Sequence, residues 1–152
     1  NVKTKYFCIF NADGSFNPSE IPEMIKRLEV ENLDLIYGSR YQDNSGSDDD
    51  TIITYIGNFI FTLLGKIFFR LKITDILYTF VLGKTKETAK LSLSSKDFSF
   101  CVELPIKANL NKLKQDSINS FERKRIEGKK KVNALKDGFL ILKHMISLYL
   151  KR

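Results

Sequence analysis

The sequence predicts an α/β fold built around a parallel sheet. Three observations lead to this fold class: an apolar, aromatic-rich run at residues 6–10, a helical pattern after Pro18, and a second apolar run at residues 33–40 that ends in a glycine corner. Strand, helix and strand in this order form a βαβ crossover, the unit that joins parallel strands. The chain has 152 residues, 43% of them apolar, which is enough for one domain with a core.

Local patterns justify the first strand, the first helix and the second strand. "YFCIF" at residues 6–10 is a continuous apolar run, typical of a strand covered on both faces. Residues 11–17 form its exit loop, in which Asn17 is the predicted helix cap, and Pro18 suits the first helical turn. The apolar face of this helix consists of Ile21, Ile25 and Leu28. "LDLIYGSR" at residues 33–40 then supplies the second strand.

The most apolar segment of the chain, residues 52–71, follows an acidic loop. Residues 41–51 are polar and contain a run of aspartates, but they lack the spaced alternation and distal glutamate of a calcium-binding EF-hand. Residues 52–71 are nearly long enough to span a membrane, although Asn58, Lys66 and Arg70 interrupt them. Three interpretations stay open: a transmembrane helix, a buried core helix, and a helix lying in a membrane interface.

The remaining elements alternate between strand and helix. Residues 74–84 return to β character, and residues 85–93 are predicted to be a short helix. Another helix is predicted at residues 98–112, where Pro105 should disturb or divide it. Residues 116–125 alternate in the manner of an edge strand and lead into a basic loop.

Residues 134–150 are predicted to form an amphipathic helix. Its apolar stripe, with spacings of four and three residues, consists of Leu135, Phe139, Leu142, Ile146 and Tyr149. Lysines and an arginine accompany the stripe. We therefore expect residues 52–71 and 134–150 to be membrane-interface helices.

The charge of the chain indicates the class of its binding partners, and its cysteines indicate the cellular compartment. The net charge of +7 and the pI near 9.4 favour anionic partners such as phosphates, nucleotides, nucleic acid or acidic lipid. Cys8 and Cys101 lie in apolar runs without metal-ligand spacing, so we predict buried free thiols in a reducing cytoplasm. Because residues 6–10 look like a late strand and no initiating methionine is present, we expect that coding sequence is missing upstream.

The corner after the first strand is a candidate ligand site. Asp13 and Gly14 come directly after the run at residues 6–10. In open parallel sheets, ligands bind beyond the carboxyl ends of the strands. A carboxylate there can bind a divalent cation that in turn holds a diphosphate. The same residue types also form ordinary tight turns, so that alternative stays open.

Four stretches, in order along the chain, resemble glycosyltransferase family 2, nearest to its dolichol- or polyprenyl-phosphate mannose synthase type. "NADGSFNPSEIPEMI" resembles the family's D-A-D-G-S-x-x-P-x-x-I-P, and "DLIYGSRY" resembles D-L-V-x-G-S-R-Y. "ITD" before an aromatic strand resembles the family's middle aspartate, and "RIEGKKKVN" resembles R-x-x-G-K-S-K-L. The family's opening strand and V-x-P-x-Y-N-E segment, which hold the nucleotide base, have no counterpart in these 152 residues.

This resemblance implies a GT-A, Rossmann-like fold, of which residues 1–152 are the later part of one catalytic domain. It implies transfer of a sugar from a nucleotide diphosphate sugar to a polyprenyl phosphate or a growing glycan, at the cytoplasmic face of the cell membrane. Mg²⁺ or Mn²⁺ is the implied cofactor. Asp13 corresponds to the last acidic residue of the family's metal motif, and Asn11 stands at its first acidic position as a neutral oxygen donor.

The resemblance also assigns roles to five further residues. Arg40 corresponds to the arginine of the family's G-S-R motif, where its donors suit a phosphate or carboxylate, and an ordinary salt bridge is the alternative. Asp75 is the second predicted catalytic residue, which orients the acceptor or acts as base, unless it simply begins a strand. Arg125, Lys129 and Lys131 match the basic positions of the late loop, which closes on the nucleotide phosphates.

A non-catalytic module that binds anionic lipid or nucleic acid through its basic loop is the alternative function. The basic run at residues 122–131 has only Phe121 close to it for base stacking, which favours phosphate closure over nucleic acid. Binding of a nucleotide sugar that depends on a divalent metal separates the two hypotheses, because a basic patch alone binds any polyanion and loses it steeply with salt.

Overall fold

The computed structural model describes residues 3–128 and 133–152 and has a mixed α/β architecture. The strands, in chain order, are β1 (Tyr6–Ile9), β2 (Leu35–Ser39), β3 (Gly46–Ser47), β4 (Val81–Lys84), β5 (Gln115–Asn119) and β6 (Phe121–Glu122). Four of them form the main sheet in the order β1-β4-β2-β5, and β3 pairs with β6 in a small second sheet. Within the main sheet β2 and β5 are parallel, whereas β4 is antiparallel to both β1 and β2.

The α-helices cover the sheet and frame its carboxyl end. In chain order they are α1 (Ile21–Val30), α2 (Ile52–Phe69), α3 (Thr85–Thr88), α4 (Phe100–Leu110) and α5 (Ala134–Leu150). A capping box starts α2, because the Thr51 side chain accepts from the backbone of Thr54 while the Thr54 hydroxyl accepts from the backbone of Thr51. The helix ends at Arg70, whose φ of 55° is left-handed.

Two expectations about the first strand are wrong. They concern its coverage and the burial of Cys8, and not its direction: β1 and β2 run in the same direction, as a βαβ unit requires, with antiparallel β4 between them. β1 is only partly covered, and Cys8 on it is exposed, whereas Cys101 is buried as predicted. A run of apolar residues indicates a strand, but it carries no information about which strand lies beside it.

Later elements follow the predictions more closely. β5 is an edge strand of the main sheet, as expected from the alternation after residue 115, although it ends at Asn119. Pro105 does not divide its helix, since α4 continues through it from Phe100 to Leu110. A proline removes one backbone donor, and the buried packing of its neighbours Leu104 and Ile106 compensates for that loss.

The two faces of the sheet bury separate cores. On β2, Leu35 and Tyr37 point to one side and Ile36 to the other, as the two-residue period of a strand requires. The first core joins α4 and α5 to the sheet, whereas the second is closed by Met24 and Leu28 of α1. The sheet is therefore rigid beneath the loops that leave its strand ends.

Helices α2 and α5 pack side by side and expose apolar side chains. The Tyr149 ring lies 5.5 Å from that of Phe68 and 6.0 Å from that of Phe69, both edge to face. The apolar stripe predicted for α5 faces outward, and the buried side of that helix consists instead of Ile141, Met145 and Leu148. Helix α2 is long and apolar enough to cross a membrane, and only 22% of it is buried, although length and composition alone are weak grounds for a membrane span.

We name the outward side chains of these two helices the apolar face. It consists of Ile52, Ile53, Ile56, Phe59, Ile60, Leu63, Ile67 and Phe68 on α2 and of Leu135, Phe139, Leu142, Ile146, Tyr149 and Leu150 on α5. Exposed apolar side chains in such number on two neighbouring helices are typical of an interaction surface.

Candidate active site

A cavity of about 580 Å³ opens at the carboxyl ends of β1 and β2. The loop after β1 contributes Asn11 and Asp13, and Arg40 follows the end of β2. The acidic loop before α2 contributes Asp49, and the segment after β6 contributes Arg125. Residues from distant parts of the sequence therefore meet where open α/β sheets bind their ligands.

The corner after β1 presents one oxygen of Asp13 to this cavity. Asp13 Oδ1 accepts hydrogen bonds from the backbone N–H of Ser15 at 3.1 Å and from its hydroxyl at 2.7 Å. Gly14 has a left-handed φ of +82°, and a Cβ there would lie 2.7 Å from Cδ1 of Ile126. Partial burial alone would raise the pKa of Asp13, but the Ser15 hydrogen bonds and Arg125 outweigh it, so the pKa is lowered. Asp13 is thus an ionised carboxylate at neutral pH.

Arg40 forms the densest polar network of the site. Its Nε donates to Asp75 Oδ2 at 2.8 Å, its Nη2 to Asp75 Oδ1 at 3.0 Å, and its Nη1 to Glu122 Oε2 at 2.9 Å. The guanidinium also lies 4.7 Å from the ring centre of Tyr78. Burial alone would lower the pKa of Arg40, but Asp75 and Glu122 raise it by more than burial lowers it. The guanidinium is therefore always charged.

Asp75 lies below the cavity and not on its surface. Its side chain is fully buried, and both of its oxygens accept from Arg40. The backbone N–H of Arg40 adds a third hydrogen bond at 3.1 Å. The salt bridge that was the alternative interpretation of Arg40 is therefore present, and the catalytic role of the pair stays a prediction.

Arg125 links the loop after β6 to the acidic loop across the cavity. Its Nη2 donates to Asp49 Oδ2 at 2.7 Å and its Nε to Asp49 Oδ1 at 3.2 Å, and Nη1 lies 3.7 Å from Asp13 Oδ2. The hydrogen bonds to Asp49 raise the pKa of Arg125. The other two predicted phosphate-binding residues, Lys129 and Lys131, lie outside the described residues.

The cavity is acidic among the residues that the structure describes. Two guanidinium groups line it, against five carboxylates that belong to Asp13, Asp49, Asp50, Glu122 and Glu127. The formal excess is three negative charges. A nucleotide diphosphate would be repelled from such a surface unless cations accompany it.

The two predicted metal ligands lie on the same cavity wall. Asn11 and Asp13 both line it, and they offer one carboxylate and one amide oxygen. Within residues 3–128 and 133–152 no group of three or more His, Cys, Asp or Glu side chains suits a metal ion. This donor set fits Mg²⁺, which proteins commonly hold through one or two carboxylates together with substrate phosphates and water.

Cys101 lines the cavity as well, but it is unsuited to act as a nucleophile. Burial raises its pKa to about 12, so the thiolate that would be reactive is scarce at neutral pH.

Several residues of the site could not be found from the sequence. In the sequence, residues 48–50 form an acidic run that indicates only a loop, and the structure places Asp49 and Asp50 on the cavity. Glu122 sits in a basic run that points to phosphate binding, yet it pairs with Arg40. Asn58 looked like an interruption in an apolar helix, and it lines the cavity too.

Comparison with known proteins agrees with this geometry. A solved structure, glucosyl-3-phosphoglycerate synthase from Mycobacterium tuberculosis in complex with phosphoglyceric acid, matches with a TM-score of 0.63 at 13% identity. The match covers 99% of this chain and 50% of that one, so the chain spans half the length of that structure. At this identity the likeness shows the fold, and the predicted α/β GT-A class is confirmed. The family model for glycosyl transferase family 2 matches residues 1–89, and the chain therefore belongs to that family.

Proposed function

We propose that this chain serves a glycosyltransferase that moves a sugar from a nucleotide diphosphate sugar to a polyprenyl phosphate or a growing glycan. One observation carries the proposal: Asp13 and Arg125 line one cavity at the carboxyl end of the sheet, with 3.7 Å between Oδ2 of Asp13 and Nη1 of Arg125. A carboxylate for a cation and a guanidinium for a phosphate are the two groups that binding a diphosphate requires.

In this proposal Asp13 and Asn11 hold Mg²⁺ or Mn²⁺. The cation, when bound, neutralises the diphosphate and stabilises the charge on the leaving nucleotide. Arg125 exchanges its hydrogen bonds to Asp49 for phosphate oxygens, which its planar fork can bind in the same bidentate manner. Lys129 and Lys131, as predicted from the family motif, add positive charge to the same step.

Arg40 and Asp75 act by positioning other groups. Their buried pair fixes the end of β2 and the segment before residue 76 beneath the cavity. A polyprenyl phosphate acceptor needs no general base, because the attacking oxygen is already anionic. A glycan hydroxyl does need one, and Asp50 is a carboxylate on the cavity surface that can take this role, although its lowered pKa makes it a weak base. Burial raises the pKa of Asp50, but Thr54, Tyr41 and Arg40 outweigh that effect, so the carboxylate is ionised.

Calorimetric titration tests the function against the non-catalytic alternative. We expect the full-length protein to bind UDP- and GDP-sugars only when Mg²⁺ or Mn²⁺ is present, with an affinity that changes little between about 50 and about 200 mM salt, whereas the 152-residue chain alone should bind them weakly. A basic module would instead bind polyanions such as heparin without metal, and its affinity would fall roughly 10³-fold or more over that salt range. The second result would overturn the proposed function.

We also propose that the apolar face rests on the cytoplasmic surface of the cell membrane. Phe59 is 61% exposed and Leu135 is 87% exposed, and both can insert at the headgroup boundary. Lys136 and Lys143 lie on α5 among these residues, and each cation near an anionic lipid surface contributes about 1 kcal/mol. This location brings the cavity to a lipid-linked acceptor.

Vesicle flotation tests the membrane location. Binding should require anionic lipid, weaken with salt and be lost in carbonate. Phe59→Ser with Leu135→Ser should abolish it, whereas the control Val30→Ser, at a site 77% exposed on α1, should not. Retention on neutral vesicles through carbonate would mean that α2 spans the membrane, and a complete lack of binding would favour a soluble glycan acceptor.

A further inference from the structure

Asn58 is a buried polar residue in the cavity wall with an unused hydrogen-bonding group. It lies on α2 and is only 1% exposed. Its Oδ1 accepts from the backbone N–H of Leu77 at 2.9 Å. Its Nδ2 has no hydrogen-bond partner among the described residues. The assignment of the two amide atoms is fixed, because a backbone N–H can only donate and so must face the oxygen.

The hydrogen bond to Leu77 does not by itself require an amide. Thr62, one turn later on α2, performs the same task for the next backbone group, since its Oγ1 accepts from the N–H of Ile76 at 3.2 Å. Both residues line a second, smaller cavity of about 280 Å³, but of the two only Asn58 also lines the larger one. Buried polar groups are nearly always paired in native proteins, so a donor left over beside a cavity indicates a ligand oxygen.

The surroundings of Asn58 define the chemistry of that ligand. Asp50, Thr54 and Asn58 follow one another at intervals of four residues and all line the cavity. Asp50 remains ionised, because Thr54, Tyr41 and Arg40 hold its pKa below its usual range against the effect of burial. This side of the cavity therefore offers a carboxylate acceptor and an amide donor about two helical turns apart, with the Thr54 hydroxyl between them.

Aromatic and apolar side chains complete the wall. Tyr78 and Phe98 contribute rings, and Leu77 and Ile141 contribute aliphatic surface. Among the described lining residues the carboxylates outnumber the guanidinium groups, so this wall is rich in acceptors for hydroxyl groups. A neutral ring whose hydroxyls both donate and accept, and which has an apolar side, matches these walls.

We infer that Asn58 donates a hydrogen bond from Nδ2 to a hydroxyl oxygen of a bound pyranose. The pyranose is either the transferred sugar or a residue of an acceptor glycan. This inference rests on the proposed function and adds the group that recognises the sugar. A site built to pair with a hydroxyl discriminates strongly against analogues that lack it, because its own polar group is then left unpaired.

NMR of the ¹⁵N-labelled 152-residue chain tests the inference without any turnover. Asn58→Asp retains the acceptor for Leu77 and replaces the donor with an oxygen, so the signal pair that it removes identifies the Asn58 carboxamide. That pair should shift when methyl glucoside, methyl mannoside or methyl galactoside is added, and not when inorganic pyrophosphate is added. Thr62→Val, the matched control, should preserve the response. No response to any of the glycosides, or a response to pyrophosphate alone, would overturn the inference.

Transfer kinetics separate the two sources of the sugar. We expect Asn58→Asp to lower kcat/KM by about 10²-fold or more, and the neutral variant Asn58→Thr to do the same if added charge is a concern. The loss caused by Asn58→Asp should disappear with one monodeoxy nucleotide sugar if Nδ2 binds the transferred sugar, and with one deoxy acceptor if Nδ2 binds the glycan. Transfer by both variants at the wild-type rate would refute the role of Asn58 and leave the proposed function standing. If the Asn58 amide responds to sugar but the protein shows no metal-dependent binding of a nucleotide sugar, the proposed function is refuted and the role of Asn58 stands.

Discussion

Two arginines serve the same cavity in different ways. Arg40 is 10% exposed and pairs with Asp75, whose side chain is fully buried. Arg125 is 22% exposed, and its partners Asp49 and Asp13 are 16% and 23% exposed. Both arginines line the cavity and both have a raised pKa.

The difference lies in what each arginine would leave behind. If Arg40 moved, the carboxylate of Asp75 would be buried without a counter-charge, which is among the costliest defects in a protein interior. If Arg125 moved, the partly exposed carboxylates of Asp49 and Asp13 could still be hydrated. An arginine paired with a fully buried carboxylate belongs to the fold, whereas one paired at a cavity rim is available for a ligand.

The largest expected effect is on stability, at Arg40. Arg40→Ala should lower the free energy of unfolding by about 3–5 kcal/mol, because it strands Asp75. Urea denaturation followed by circular dichroism measures this. The double variant Arg40→Met with Asp75→Leu should recover only part of the loss, since it removes the fully buried carboxylate but leaves Glu122 without its partner Arg40. If the single variant were as stable as the wild type, the two arginines would not differ in the way described.

The next effect is on metal affinity, at Asp13. Asp13→Ala should weaken Mn²⁺ binding in the presence of a nucleotide sugar by about 10–100-fold and abolish metal-dependent transfer. Paramagnetic resonance of free Mn²⁺ measures the affinity. Because the pKa of Asp13 is lowered, the carboxylate is charged near neutral pH, so affinity should be flat there and fall only in acid. Ser15→Ala is the control, which removes the hydroxyl hydrogen bond to Asp13 but keeps the backbone N–H bond and the charge of Asp13.

The sequence predicts the positions of the site residues better than their partners. The ends of β1 and β2 could be located from apolar runs and glycine corners, and the residues that follow these ends, Asn11, Asp13 and Arg40, line one cavity in the structure. That β4 lies between those strands could not be found, because strand neighbours are decided by long-range packing.

The sequence also could not predict which single polar residues are buried. A lone aspartate such as Asp75 reads the same in sequence whether it faces a substrate or a guanidinium, and only the fold shows that it is covered. Asn58 looks like a defect in an apolar helix until Leu77 is seen to bond to it. The acidic residues opposite Arg125 belong to a loop whose course no local pattern specifies.

A smaller effect is expected at Arg125. Arg125→Ala should reduce nucleotide-sugar affinity by roughly 10-fold or more, since a bond to a charged group contributes about 1.5–3 kcal/mol. It should change the free energy of unfolding by less than about 1 kcal/mol, as for other partly exposed ion pairs. Calorimetry and urea denaturation on the same sample measure both. A large loss of stability with unchanged affinity would place Arg125 with Arg40 as part of the fold.

The smallest expected effect is on metal affinity, at Asn11 on the wall of the cavity. Asn11→Asp restores the second carboxylate of the family's metal motif, beside Asp13 on the same wall. We expect Mn²⁺ affinity to rise by about 10-fold, within the range that single groups around a metal contribute. The same change should leave Arg40 and its buried pair untouched, so the free energy of unfolding should stay within about 0.5 kcal/mol.

The outcome of Asn11→Asp depends on where the cation binds. If it binds between Asn11 and Asp13, the added carboxylate tightens it, and the tightening should disappear in the double variant with Asp13→Ala. A new carboxylate elsewhere on the acidic wall would attract Mn²⁺ only weakly, and Asp13→Ala would not affect that attraction. The control is Asn17→Asp. It adds the same charge at the end of the same loop, at the residue that caps the short helical turn Pro18–Glu20, and Asn17 does not line the cavity. Equal tightening by both variants would mean that general charge, and not the corner after β1, governs the metal.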